Sequence, residues 1–95
     1  MAYIEIYTKK NCPYCDRAKA LLIKKSLDFK EIPIDHNNSL NSMYIEMQQR
    51  SNGCTTVPQI FIDGLHIGGS DDLVLLDNQG QLSLILTKKK LKKKN

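Results

Sequence analysis

A chain of 95 residues allows one domain and one modest core. With 41% hydrophobic and 25% charged residues it has the profile of a globular protein rather than a disordered one, and no apolar run approaches the ~20 residues of a membrane helix. The net charge of +4 is uneven: six of the 14 basic residues are Lys88, Lys89, Lys90, Lys92, Lys93 and Lys94, which leaves eight basic against ten acidic residues, or −2, for the rest. The expected organisation is a folded, slightly acidic body over residues 1–87 and a lysine-rich tail over 88–95. The tail reads as a solvated extension that favours a helix C-terminus. No aromatic interleaves its lysines, so no nucleic-acid partner is expected.

In chain order, Met1-Ala2-Tyr3-Ile4-Glu5-Ile6 has neither a basic n-region nor a long apolar stretch. It reads as the start of a strand and not as a signal peptide, so the cytoplasm is the expected compartment. Tyr3 to Thr8 alternates, with Ile4 and Ile6 on one face and Tyr3, Glu5 and Tyr7 on the other. From Cys15 to Ser26, Cys15, Ala18 and Leu22 form a helical stripe with Leu21 beside it. Phe29 to Ile34 is a second strand, closed by the turn cluster Asp35-His36-Asn37-Asn38. Leu40, Met43, Tyr44 and Met47 recur at helical spacing until Asn52-Gly53. Gln59 to Asp63 is a short strand, and Asp63-Gly64 is a hairpin signal into Leu65-His66-Ile67. Ser70-Asp71-Asp72 can cap a third helix through Leu76, and Gly80 separates a last short helix using Leu82, Ile85 and Leu86. A helix between the first two strands implies a right-handed parallel unit, and the hairpin adds an antiparallel pair. The expected fold is α/β, β-α-β-α-β-β-α, with a mixed four-stranded sheet and helices on both faces.

The chemistry gathers at "NCPYC", residues 11–15. A CxxC pair at the first strand-to-helix turn is a redox signature. A helix start offers free N–H groups and partial positive charge, which favour a thiolate, and Lys9 adds a cation three residues before Cys12. Pro13 suits an early helical position. Cys12 lies at the loop end and is the expected nucleophile; Cys15, on the apolar stripe, is the expected resolving thiol. A closed zinc site needs four ligands, and Cys12, Cys15, Cys54, His36 and His66 are too scattered to suggest one, so no metal is expected. Cys54 reads as a loop cysteine. Taken alone, Asp71 and Asp72 read as helix-start acids and Tyr14 as a surface aromatic.

"YTKKNCPYC", residues 7–15, together with "TTVPQIFIDGLHIGGSDDL", residues 55–73, resembles the glutaredoxins, above all the bacterial dithiol type of the thioredoxin superfamily. The likeness runs to about Leu86. It implies a thioredoxin-like fold and a glutathione-dependent thiol–disulfide oxidoreductase that holds no cofactor and uses glutathione as reductant. In such a site a cis peptide bond before Pro58 turns the Val57 backbone towards the sulfurs, although only ~5–6% of X-Pro bonds are cis. Val57 would then pair in a strand-like way with the cysteine portion of glutathione. Lys9 would draw the glycine carboxylate. The helix start at Gly69, Ser70, Asp71 and Asp72 would take the γ-glutamyl carboxylate on its N–H groups, with Asp72 meeting the ammonium. Tyr14 would border the sulfur cleft and Thr56 would line the loop before Val57. The implied partners are glutathione and disulfide-containing proteins such as ribonucleotide reductase, met by a monomer that does not engage a membrane.

Three features depart from the family pattern. Ser70 stands where many members have cysteine. Cys54 stands where bacterial members often have arginine. The stretch from Asp35 to Cys54 is longer by a few residues. Two rival readings bear on the same residues. A redoxin served by thioredoxin reductase is disfavoured by Lys9 with Asp71 and Asp72. A dimer holding an iron–sulfur cluster through Cys12 and glutathione is disfavoured by Pro13.

Overall fold

The computed structural model describes residues 2–86; the expected lysine tail lies outside them. The elements are β1 (Ile4–Thr8), α1 (Pro13–Lys24), β2 (Lys30–Pro33), α2 (Ser42–Arg50), β3 (Gln59–Ile62), β4 (Leu65–Gly68) and α3 (Ser70–Asn78), followed by helical residues 81–86. The sheet order is β2-β1-β3-β4, with β1 parallel to β2 and the β1–β3 and β3–β4 pairs antiparallel. This is the expected mixed, thioredoxin-like sheet.

The alternation in β1 decides the two layers. Ile4 and Ile6 face α1 and α3, where they join Ala18, Leu22, Ile60, Ile62, Leu73 and Leu82. Ile85 and Leu86 pack against the same cluster, so the closing helical segment covers its edge as anticipated. Tyr7 points the other way, into a cluster with Ile32, Ile34, Met47 and Phe61 under α2. Each fully buried Leu, Ile or Met here contributes about 1.5–3 kcal/mol.

Turn chemistry sets the remaining geometry. Asp63 and Gly64 both adopt positive φ (50° and 83°), the conformation a two-residue hairpin requires. Asn52 and Gly53 do the same after α2 (58° and 95°) and end it. One expectation fails. Leu40 matches the helical stripe by spacing but lies ahead of α2 and is 81% exposed. Asn41 caps the helix by accepting the Tyr44 N–H at 3.0 Å, while Asn38 Oδ1 holds the Leu40 N–H in a turn at 3.0 Å. A local side-chain cap thus overrides the apolar periodicity.

A polar network crosses the α2 layer. Arg50 reaches from the end of α2 to both oxygens of Glu5, at 2.7 and 3.2 Å, and donates to the Tyr7 hydroxyl at 2.8 Å. Tyr7 in turn donates to Glu46. The guanidinium also lies over Phe61, 4.2 Å from its ring centre. Burial, and then the Glu46 hydrogen bond, push the Tyr7 phenol up to about 12, against the opposing pull of Arg50. Its stabilising contribution is complete below the unfolded value near 10 and is lost as pH rises through about 12. The urea midpoint of the wild type should therefore fall steeply between pH ~10 and ~12, by the equivalent of about 2–3 kcal/mol for this group. Tyr7→Phe should be less stable at neutral pH and show a shallower alkaline fall.

Candidate active site

The site grows from the end of β1. After Thr8, residues 9–12 turn the chain into α1, and Asn11 takes positive φ (55°) to make that turn. Cys12 is the N-cap of α1, with extended backbone, and Pro13 follows at the first helical position. The Cys12 sulfur accepts the Cys15 backbone N–H at 3.2 Å, the contact that serine or aspartate oxygens make at other helix starts. The two thiols are free. Cys12 is therefore the cap itself, and only Cys15 lies within the helix.

The two sulfurs have different surroundings. Cys12 keeps 5% of its surface and Cys15 none, in the expected order. Burial first, then the hydrogen bond to Cys12, push the Cys15 thiol up to about 12; the Lys9 backbone hydrogen bond and the Lys19 charge act in the opposite direction. Cys15 thus stays protonated at neutral pH.

Across from Cys12, the Val57–Pro58 peptide bond is cis, and the Cys12 thiol lies 3.9 Å from the Val57 carbonyl oxygen. Beside it runs an open groove of about 210 Å³, lined by Tyr14, Thr56, Val57, Pro58, Gly69, Ser70, Asp71 and Asp72. Stretches 40 to 60 residues apart in sequence, singled out on motif alone, meet on one surface. The groove is too shallow to enclose a peptide, which would lie along it with one side in solvent. A larger hollow of about 620 Å³, between Ile23 and Phe29 at the far end of α1, has no thiol on its walls.

Lys9 is half-buried on the approach to Cys12 and is not part of the groove wall. Cys54 is also off the groove; its N–H donates to the Ser51 hydroxyl at 3.2 Å. Among the described residues no three His, Cys, Asp or Glu side chains gather as a metal site would need.

The start of α3 differs from the sequence expectation. Gly69, not Ser70, is the N-cap; Asp72 Oδ2 accepts the Gly69 N–H at 2.9 Å and closes the first turn. Ser70 is 3% exposed, and its hydroxyl has no hydrogen-bond partner among the described residues. The cap moves back one residue because Gly69 takes the extended conformation that a cap needs. Asp71 pairs with Arg17 of α1 at 3.8 Å, an exposed contact of little energetic weight.

Sequence reasoning placed Gln59 only in the sheet. Its amide nitrogen donates to the Thr56 carbonyl at 3.0 Å and its oxygen lies 2.6 Å from His66 Nε2. Gln59 therefore braces the loop that carries Val57. The available signal was a lone polar residue opening an apolar strand directly after proline.

A family model described as Glutaredoxin matches residues 4–67. Glutaredoxin 3 of Escherichia coli strain K12 is 58% identical over 86 residues, covering 90% of this chain and 99% of that protein. The solution structure of glutaredoxin from Brucella melitensis is 45% identical with a TM-score of 0.74, covering 90% of this chain and 89% of that one. A buckwheat glutaredoxin–glutathione complex is 29% identical with a TM-score of 0.74, covering 90% and 76%.

Gly68 tests how the groove is built. At φ 119° a side chain is strained, and an added Cβ would run into the Asp72 carboxylate that closes α3. Gly68→Ala should lose about 1–2 kcal/mol from the backbone alone. The loss should be read as a lower thermal midpoint in calorimetry.

Proposed function

The chain belongs to the glutaredoxin family, a family of thiol–disulfide oxidoreductases, and from that premise we propose that it reduces glutathione mixed disulfides and protein disulfides with glutathione as electron donor. The Cys12 thiolate attacks the protein–glutathione disulfide at the glutathione sulfur. A Cys12–glutathione disulfide forms, and the protein thiolate leaves and takes up a proton. A second glutathione thiolate then attacks the glutathione sulfur of the adduct, releasing glutathione disulfide and regenerating the Cys12 thiolate. On a protein disulfide, the Cys12 thiolate bonds to one substrate sulfur as the other leaves. Cys15 then attacks the Cys12 sulfur, the bond to the substrate breaks and the substrate thiolate departs. Two glutathione thiols reduce the internal disulfide in turn, leaving as glutathione disulfide.

The observation that carries this reading is the Cys12 sulfur at the start of α1, accepting the Cys15 N–H at 3.2 Å and lying 3.9 Å from the Val57 carbonyl beside the groove. In that groove glutathione is assigned an extended pose, its cysteine portion paired with the Val57 backbone. Its γ-glutamyl carboxylate meets the N–H groups of Ser70 and Asp71 at the start of α3, a nine-residue helix that Gly69 caps. Asp72 spends one oxygen on the Gly69 N–H and offers the other to the ligand ammonium. Tyr14 and Thr56 flank the tripeptide beside Pro58, and Lys9 draws its glycine carboxylate. The buckwheat relative, described in complex with glutathione, supports the choice of tripeptide. We further assign the domain to residues 1–87 and the work to a monomer in the cytoplasm. Its acceptors there would be disulfide enzymes such as ribonucleotide reductase.

The test is reduction of a glutathionylated peptide by wild type, Cys12→Ser and Cys15→Ser, with glutathione and glutathione reductase. Cys12→Ser should be inactive, a loss of at least about 10³-fold. Cys15→Ser should retain turnover of the glutathionylated peptide and lose reduction of a protein disulfide. Activity in Cys12→Ser, or turnover supported by thioredoxin reductase but not by glutathione, would refute the reading.

A further inference from the structure

Cys15 poses a chemical difficulty: it must ionise to attack Cys12, yet its burial holds the proton on. Beyond the hydrogen bond from the Lys9 backbone, a nearby positive charge would favour its thiolate. Lys19 follows Cys15 by four residues on α1, hence on the same face, and helical side chains lean back over the preceding turn. The Lys19 ammonium does reach back to the first turn, where it lies 3.9 Å from Asp16 Oδ1, on the residue next to Cys15. It is half-buried rather than free in solvent. Its position is fixed by Glu31 of β2, whose Oε2 accepts it at 3.0 Å and accepts the Thr8 hydroxyl at 2.7 Å. Thr8 is itself buried at the end of β1. The three residues form a cluster between the sheet and the helix start, outside the groove that lines the proposed glutathione site.

We propose that Lys19, held by Glu31 and Thr8, is a positioning residue for the second step of the reaction, its ammonium stabilising the Cys15 thiolate that resolves the Cys12 mixed disulfide. This deepens the reading above and rests on Cys12 as the first nucleophile. The step balances without another reagent. The Cys15 thiol loses its proton, its sulfur bonds to the Cys12 sulfur, and the Cys12 bond to the departing sulfur breaks. The departing thiolate takes up the proton. The disulfide passes from the adduct to the Cys12–Cys15 pair, and Lys19 remains an ammonium throughout.

Among the described residues, the titratable side chains bearing on Cys15 are Cys12, the cap of α1, and Lys19 on α1; Lys9 acts on it through a backbone hydrogen bond and not through its charge. Asp16 and Glu31 act on it through Lys19. Lys19 lowers the Cys15 thiol while Cys12 raises it, and the Glu31 contact raises Lys19 and keeps it charged. Glu31, held low first by the Thr8 hydrogen bond and then by Lys19, is ionised at neutral pH and offsets part of the ammonium's field. The two partners therefore have opposite effects on the thiol. Removing the ammonium should slow the resolving step, and removing the carboxylate charge should speed it.

The experiment is a single turnover of the reduced full chain with glutathione disulfide, acid-quenched and resolved by mass spectrometry across pH 6–9. It reads two rates separately: appearance of the Cys12–glutathione adduct and its conversion to the internal disulfide. Lys19→Met should slow the conversion about tenfold at pH 7.5 and move its pH profile up by about one unit. Lys19→Arg should restore it, and Glu31→Gln, which keeps an oxygen for Thr8, should accelerate it about threefold. Adduct appearance should change less than twofold in all three. Conversion rates unchanged in Lys19→Met, or shifted in the same direction by Lys19→Met and Glu31→Gln, would overturn the assignment of Lys19 while leaving the first step intact. Failure of the wild type to form any adduct at Cys12 would overturn both this inference and the functional reading beneath it.

Discussion

The hydrogen bond from the Cys15 backbone N–H to the Cys12 sulfur is the contact on which the site depends. A helix start leaves N–H groups without partners, and here one of them is satisfied by sulfur instead of a hydroxyl or carboxylate. The bond serves folding and chemistry together. It closes the first turn of α1, whose stripe of Ala18 and Leu22 is fully buried against the sheet, and it holds the sulfur at the surface end of that helix. A change that moves the helix start also moves the sulfur.

The asymmetry between the thiols has the same origin. The cap residue stands outside the helix and keeps a sliver of exposure, whereas the residue three later turns inward and keeps none. Burial raises the cost of ionising the inner sulfur. Two chemically identical side chains thereby acquire different roles through the geometry of a single helical turn. On the opposite bank, β3 and α3 bring the Val57 carbonyl and the α3 N-terminus to the same rim, with Gln59 bracing the loop between them.

Much of this was legible in the chain because the signals are local. The alternation at Ile4, Ile6 and Tyr7 separated the two layers, and Asp63-Gly64 marked the hairpin. Tyr14 within the CxxC and the Thr56-Val57-Pro58 and Gly69-to-Asp72 stretches marked residues that meet at the groove, and the Cys12 sulfur lies 3.9 Å from the Val57 carbonyl oxygen. What escaped reading depends on contacts distant in sequence or on competition within one turn. Leu40 fitted the helical period, but the side chains of Asn38 and Asn41 claimed the neighbouring N–H groups. Ser70 had the composition of a cap, but Gly69 had the backbone for it. Arg50 and Glu5 meet across 45 residues, and Lys19 and Glu31 across 12, and no periodicity encodes such pairings.

The outer strand β2 limits how this sheet can associate. It has four residues, two of them the charged Lys30 and Glu31, and it ends on Pro33, which lacks an N–H. A passing strand from another molecule would find a short ladder with a missing rung and ionic groups along it. Growth of the sheet into an intermolecular stack is disfavoured on that side, by the short charged strand and its closing proline rather than by a covering element.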